Sequence, residues 1–315
     1  MPASTSTRPV AIPAPPAEVV EFLTTLRVPD GVDLAELMAA QTEAMLALPW
    51  PEVGELRTRV PIWHAGVGLS GDLVLPPRGG PAVGGRWPLL LYVHGGGWEA
   101  GSPGSHRRVA CELAARGFAV VVPRYRLGPE HRHPAQLDDL DATLGWAARM
   151  LPELGVDAGR PVVAGDSAGA HLAAAWAVRR RLAGREDIAA AVLLTGIFDY
   201  HRGLPLVGPA GWDGDPASQP LLDPAEFEAL REDPVVNPLL GAEQMPPTFL
   251  GAGSADPFAP QSAQMYEALG AAGVAAELDP GEGLPHLWHL LPGLPESAAG
   301  LDRAADWAHA RVAGR

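Results

Sequence analysis

The stretch VVAGDSAGAHLAAAWAVRRR, residues 162–181, decides the fold. An apolar β-branched run enters Gly165-Asp166-Ser167-Ala168-Gly169, and an Ala-rich run of helical character leaves it. This is G-x-S-x-G between a strand and a helix. The spacing predicts a turn so tight that Ser167 takes a strained backbone conformation, clear of the sheet and at the positive end of the following helix. The two glycines are needed because side chains there would collide with the adjacent strand and helix. A serine presented in this way is a candidate nucleophile.

Outward from this turn the chain alternates short apolar runs with longer helical ones. Strand-like runs are LVLPP, WPLLLYV (87–93), FAVVVP (118–123), PVVAG (161–165), AAVLLTG (190–196) and PTFLGAG (247–253), with VAAELDP (274–280) a weaker one. Helical segments are expected at 106–116, 135–150, 168–183, 260–272 and 298–312. Strands alternating with helices of this length predict βαβ units: an α/β fold with a mostly parallel central sheet flanked by helices. At 315 residues and 47% hydrophobic content there is material for one such domain with an accessory part. The expected division is an N-terminal cap segment over 1–55 and an α/β catalytic domain over 56–315. Residues 1–20 are Pro- and Ala-rich and expected to be irregular, while 33–48 carry apolar positions at helical spacing. Residues 200–238, rich in Pro, Gly and Asp and without a strand, interrupt the rhythm directly after a strand end. Sites in α/β sheets lie at strand ends, so this insertion is expected to form a lid or pocket loop.

The second chemical signal is LLLYVHGGGWEAG. Gly95, Gly96 and Gly97 follow a strand directly, and a run without side chains exposes backbone N–H groups to a ligand. Acyl transfer needs such donors for a developing oxyanion, and the N–H after the nucleophile, that of Ala168, would complete them. A nucleophilic serine also needs a base and a carboxylate to orient it. Two acids end late strands, Asp199 in GIFDY and Asp256 in GAGSADPF. Two histidines follow in GEGLPHLWHL, His286 and His289. His286 comes 30 residues after Asp256 (286 − 256), room for one helix, one strand and a loop.

HGGGW at 94–98 with Gly101, GDSAG at 165–169, and YRLGPEHRHPAQLDD at 125–139 together resemble the bacterial hormone-sensitive-lipase-like esterases of the α/β-hydrolase fold. The resemblance spans roughly residues 70–310. It implies an oxyanion hole at Gly96 and Gly97, with Gly95 close by. It implies the acid at Asp256, in an Asp-Pro pair, and the base at His286, in an H-G-F-like triplet. The implied activity is hydrolysis of short-chain acyl or aryl esters by a Ser167–His286–Asp256 triad through an acyl-enzyme. The chain departs from the family in Phe258-Ala259-Pro260, where acidic residues are usual, and in His171, where Asn is common. HGGGW, GDSAGAHL and LTGIFDY also look like relatives that cleave aryl-formamides or feruloyl and acetyl-sugar esters, so an amidase or arylformamidase using the same triad is an alternative. A non-enzymatic ligand-binding relative is another, weakened by the presence of both Ser167 and His286. Trp98 and Trp288 adjoin the oxyanion loop and the base, and with His289 are expected to line the substrate pocket. Trp50, Trp63 and Trp212 flank or enter the same segments.

A net charge of −14 and a pI near 5.1 argue against nucleic acid and anionic membrane surfaces as partners. The partner expected is a small-molecule ester, and a homodimer is compatible with the reading. No His/Cys/Asp spacing resembles a metal site, and no cofactor is implied. A single cysteine, Cys111, excludes an intrachain disulfide. The N-terminus lacks the basic and apolar regions of a signal peptide, and no run approaches the ~18 apolar residues of a membrane span, so a cytoplasmic protein is expected.

Overall fold

Apolar runs such as LLLYV and AVVVP form strands that are buried on both faces, which is why they read as continuous rather than alternating hydrophobic sequence. The computed structural model describes residues 17–25, 48–79, 82, 84–207, 213–292 and 294–313. In chain order the main elements are α1 (Ala17–Thr25), β1 (Glu55–His64), β2 (Val67–Leu75), β3 (Trp87–Val93), α2 (Arg107–Ala115), β4 (Ala119–Pro123), α3 (Ala135–Met150), β5 (Val156–Asp166), α4 (Ala168–Leu182), β6 (Ala190–Leu194), β7 (Thr248–Gly253), α5 (Ala259–Ala271), β8 (Ala276–Gly281) and α6 (Pro295–Ala313). Eight strands form one sheet in the order β1-β2-β4-β3-β5-β6-β7-β8. β1 pairs antiparallel with β2, and β2 antiparallel with β4; every other pair is parallel.

The period of two along each strand divides the core. On β3, Leu89, Leu91 and Val93 join the side chains of α3, α4 and α5, whereas Leu90 and Tyr92 face α2 and α6. The result is a sheet with helices on both faces, an α/β-hydrolase fold. Four connections that leave the carboxyl ends of parallel strands carry the candidate site: His94 after β3, Ser167 after β5, Asp256 after β7 and His286 after β8. Convergence at that edge is the general rule for ligands of parallel sheets.

Two parts of the expected layout change. Residues 17–20, expected to be irregular, begin a helix that runs to Thr25: AEVVEFLTT buries Val19 and Leu23 against Leu291. A ten-residue strand, β1, precedes the first expected strand. The helix expected at 33–48 and Trp212 fall outside the described residues, apart from Leu48. The described parts of the insertion, 200–207 and 213–238, are tied to each other and to the α/β domain. Tyr200 donates its hydroxyl to Gln219 Oε1 at 2.6 Å, His133 N–H reaches Leu221 O at 2.7 Å, and Asn237 Oδ1 accepts from Tyr200 N–H at 2.6 Å.

Candidate active site

Ser167 stands alone between the last residue of β5 and the first of α4, at φ 52° and ψ −124°. The region is one that side chains rarely adopt, and the surroundings enforce it. Ser167 N–H donates to Leu194 O at 3.0 Å, and a Cβ on Gly169 would lie 2.1 Å from Val93 O. The elbow is therefore pressed against the ends of β3 and β6, and only glycine fits that contact.

His286 is brought to Ser167 by the loop between β8 and α6. Ser167 Oγ lies 3.0 Å from His286 Nε2, and His286 Nδ1 lies 2.9 Å from Asp256 Oδ2. A carboxylate can only accept, so Nδ1 carries the proton and Nε2 is free to take the serine proton. Asp256 Oδ1 is held by the N–H of Phe258 at 2.8 Å, and the Phe258 ring meets the imidazole edgewise at 5.3 Å between centroids. Phe258, one of the departures from the usual pattern, thus walls the histidine. The backbone N–H of His286 donates to Leu23 O of α1 at 2.9 Å, so the N-terminal helix props the histidine loop. Asp199, the other candidate acid, does not join them. It caps the short helical turn Tyr200–Gly203, accepting from Arg202 N–H at 3.1 Å and pairing with the Arg202 side chain at 3.3 Å.

The glycine loop turns sharply, with Gly96 at φ 129° and Gly97 at φ 59°. Gly95 N–H is engaged by Asp166 Oδ1 at 3.3 Å, which removes it from the set of oxyanion donors. Among the described residues the N–H groups of Gly96, Gly97 and Ala168 have no acceptor. The motif at 125–139 braces this loop: Tyr125 donates its hydroxyl to His94 O at 2.7 Å, and Gly128 N–H donates to Trp98 O at 2.9 Å. Arg126 and Asp139 close the motif on itself at 2.7 Å. Sequence reasoning used YRLGPE only as a mark of resemblance; its bracing role was missed because hydrogen bonds across more than 25 residues leave no local pattern.

The expected pocket wall needs correction. Trp98 is 0% and Trp288 1% exposed. Trp98 packs edgewise on His171 and Tyr200, while Trp288 fills the space beside Gly281 and Gly300. Both are core residues, because a large apolar ring gains more by burial than as a pocket surface. His289 lies on a short 3₁₀ turn, Trp288–Leu290, and is buried, and among the described residues neither ring nitrogen is hydrogen-bonded. It therefore makes no hydrogen bond to His286.

Behind the elbow lies a second set of ionisable groups. Asp166, fully buried, accepts from Tyr92 at 2.8 Å and meets His106 Nε2 at 3.2 Å. Burial, the largest single influence, would raise its carboxyl, but the charge and hydrogen bond of His106, with smaller help from His289 and the Tyr92 hydroxyl, together hold it down to about 2. Burial likewise works against charge on His106, and the Asp166 carboxylate overcomes it, so the His106 value is raised. His94, His171 and His289 go the other way: burial lowers them to about 3, 4 and 3, and all three are neutral near pH 7. Burial raises the Cys111 thiol to about 11, the mark of an inert core cysteine.

A strand–elbow–helix serine within reach of a carboxylate-bound histidine, on this sheet, defines a hydrolase of the α/β-hydrolase fold. A family model described as alpha/beta hydrolase fold matches residues 90–290. The chain is 32% identical over 275 residues to the carboxylesterase NlhH of Mycobacterium tuberculosis, 82% of each being covered. It is 33% identical to an ethyl acetate hydrolase of Pseudomonas putida, over 72% of this chain and 73% of that one. The hyperthermophilic esterase of the archaeon Pyrobaculum calidifontis superposes with a TM-score of 0.71 at 25% identity, covering 94% of this chain and 93% of that one. The chain belongs to the hormone-sensitive-lipase-like esterases of the α/β-hydrolase fold. Among the described residues no helix is long and apolar enough to cross a membrane.

Proposed function

We propose that the chain is a serine carboxylesterase acting on short-chain acyl esters, with Ser167 as nucleophile, His286 as base and then acid, and Asp256 as the carboxylate that orients His286. The observation that carries the reading is the relay of 3.0 Å and 2.9 Å contacts from Ser167 Oγ through the imidazole to Asp256 Oδ2. Ser167 Oγ attacks the ester carbonyl as its proton passes to His286 Nε2. The resulting oxyanion takes the free N–H groups of Gly96, Gly97 and Ala168, and each such donor can lower the barrier by about 3 kcal/mol. The protonated His286 gives its proton to the leaving alcohol, leaving the acyl group on Ser167. Water, deprotonated by the same histidine, then attacks the acyl-enzyme and releases the acid.

The activities for which these relatives are named, carboxylesterase and ethyl acetate hydrolase, support an ester and a short acyl group as substrate. The N-terminal segment and the insertion are read as a cap over the site; the contact of Leu23 O with the His286 backbone supports the first half of that reading. The experiment is covalent labelling with a p-nitrophenyl alkylphosphonate followed by peptide mass mapping. An adduct on the peptide containing Ser167, with loss of p-nitrophenyl butyrate hydrolysis in step, is the expected result. Complete inactivation with the adduct on another serine contradicts the assignment.

A further inference from the structure

The helix that starts at the nucleophile carries a histidine one turn in. The His171 backbone N–H closes the first turn on Ser167 O at 3.1 Å, so its Cα is fixed relative to the elbow. Its ring is buried, and both nitrogens are used by other segments. Trp98 Nε1–H donates to His171 Nδ1 at 3.1 Å, and His171 Nε2 lies 2.8 Å from Val236 O. An indole N–H and a carbonyl leave no choice of tautomer: Nδ1 accepts and Nε2 donates. Trp98 directly follows Gly97 and sits at φ 66°, in the left-handed region that side chains avoid. A residue held there needs an outside tether. Its indole is enclosed edgewise by Tyr200 at 4.9 Å, and Tyr200 is in turn bonded to Gln219 of the insertion.

We propose that His171 is a positioning residue for acyl transfer: it ties the oxyanion loop, through Trp98, to the elbow helix and to the insertion at Val236, and so keeps the Gly96 and Gly97 amides aimed at the oxyanion. The inference rests on the reading of Ser167 and the glycine donors given above. The imidazole does this only while neutral, because a second ring proton would face the indole N–H. Burial, which lowers it to about 4, keeps it in that state. His171 touches neither substrate nor Ser167 Oγ in this scheme; its effect passes through the loop. Loss of the tether therefore weakens binding of the transition state and leaves ground-state binding almost alone.

Two substitutions separate its two bonds. The Asn carbonyl oxygen falls where Nδ1 lies, and the Gln amide nitrogen where Nε2 lies. His171→Asn thus keeps an acceptor for Trp98 and drops the bond to Val236, whereas His171→Gln does the reverse. Rates on p-nitrophenyl butyrate and inhibition by a boronic-acid analogue of the tetrahedral intermediate are the readouts. For His171→Gln we expect kcat to fall roughly 10- to 100-fold, KM to stay within about threefold, and the boronate to weaken by the same factor as kcat. His171→Asn recovers most of kcat. Trp98→Phe, which removes the donor, reproduces the His171→Gln loss, and the double variant loses no more than either single one. It also carries the test should His171→Gln fail to fold. Equal kcat losses in the Asn and Gln variants, or unchanged kcat in both His171→Gln and Trp98→Phe, would overturn the proposal. All rates are read as the part that Ser167→Ala abolishes. Full turnover in Ser167→Ala would overturn the nucleophile assignment and this proposal together, whereas Ser167-dependent turnover that ignores both substitutions overturns this proposal alone.

Discussion

Three histidines in or beside the site show how environment, not residue type, sets a role. His286 has a carboxylate on one nitrogen and a hydroxyl on the other, which fixes its tautomer and suits the role proposed for it as base. His171 has a donor on one nitrogen and an acceptor on the other and is pinned neutral. Among the described residues the His289 ring has no hydrogen-bond partner. The two histidines of GEGLPHLWHL are thus unequal. His286→Ala should reduce kcat by about 10⁴-fold or more, since loss of one triad member disables the unit, and His289→Ala should cost less than about tenfold. Steady-state kinetics on a chromogenic ester decide it, and the reverse ranking would identify His289 as the base. In the sequence the residue types of the site were all legible, because acyl transfer restricts them strongly. Which acid would meet the histidine was open between Asp199 and Asp256 without the resemblance, as both end strands. Only the three-dimensional path of the chain separates them: Asp199 is consumed in capping a helical turn. Trp98 and Trp288 misled for a related reason: adjacency to a candidate site residue along the chain does not say which way a side chain turns.

Among the strands, those buried on both sides were the most legible, and the helices between them were as clear. β3, β4, β6 and β7 begin and end within a few residues of the apolar runs that predict them. β1 was not legible, since ELRTRVPIWH is an edge strand whose residues are mostly exposed and whose pattern is set by pairing with β2. Helix α1 was hidden by the prolines before it. Its docking links it to the candidate site: Leu23 buries its side chain beside Leu291 while its carbonyl takes the His286 N–H. Leu23→Asp places a charge in that contact and should unseat the helix. We expect kcat to drop by about tenfold or more as the histidine loop shifts; turnover at the wild-type rate would show that α1 is dispensable to the site. The YRLGPE segment can be tested in the same way. Tyr125→Phe leaves the ring stacked 4.2 Å from His94 but removes the bond to His94 O. An unpaired buried carbonyl costs about 1–3 kcal/mol, so the urea midpoint should fall measurably, with a loss in kcat as the oxyanion loop loosens. A midpoint equal to that of the wild type would mean the bond supports nothing.

Across the whole molecule, burial of neutral histidines sets how stability responds to acid. His94, His171 and His289 are lowered by burial to about 3, 4 and 3, against 6.5 for the free side chain. Below pH 6.5 the unfolded chain binds these protons and the folded chain does not, so stability falls as pH drops from 6.5 towards those lower values. The Asp166–His106 pair acts in the opposite sense on its histidine side. The His106 value is raised, so its contribution is complete below 6.5 and fades as pH climbs through the raised value. The depressed Asp166 contributes above 3.8 and loses its share as pH falls towards 2. Urea unfolding of wild type and His289→Leu at two pH values isolates one histidine. The stability lost between about pH 7 and pH 5 should shrink by about 2 kcal/mol in the variant, the linkage expected for one buried neutral histidine. An unchanged difference would mean that His289 titrates alike in the folded and unfolded chains.

The central claim is that Ser167 attacks the ester. Its most direct measurement is kcat of Ser167→Ala on p-nitrophenyl butyrate, with the circular dichroism of the variant matching the wild type. We predict a loss of about 10⁴-fold or more, close to the uncatalysed background. Turnover within a few-fold of the wild type in the folded variant would contradict the account.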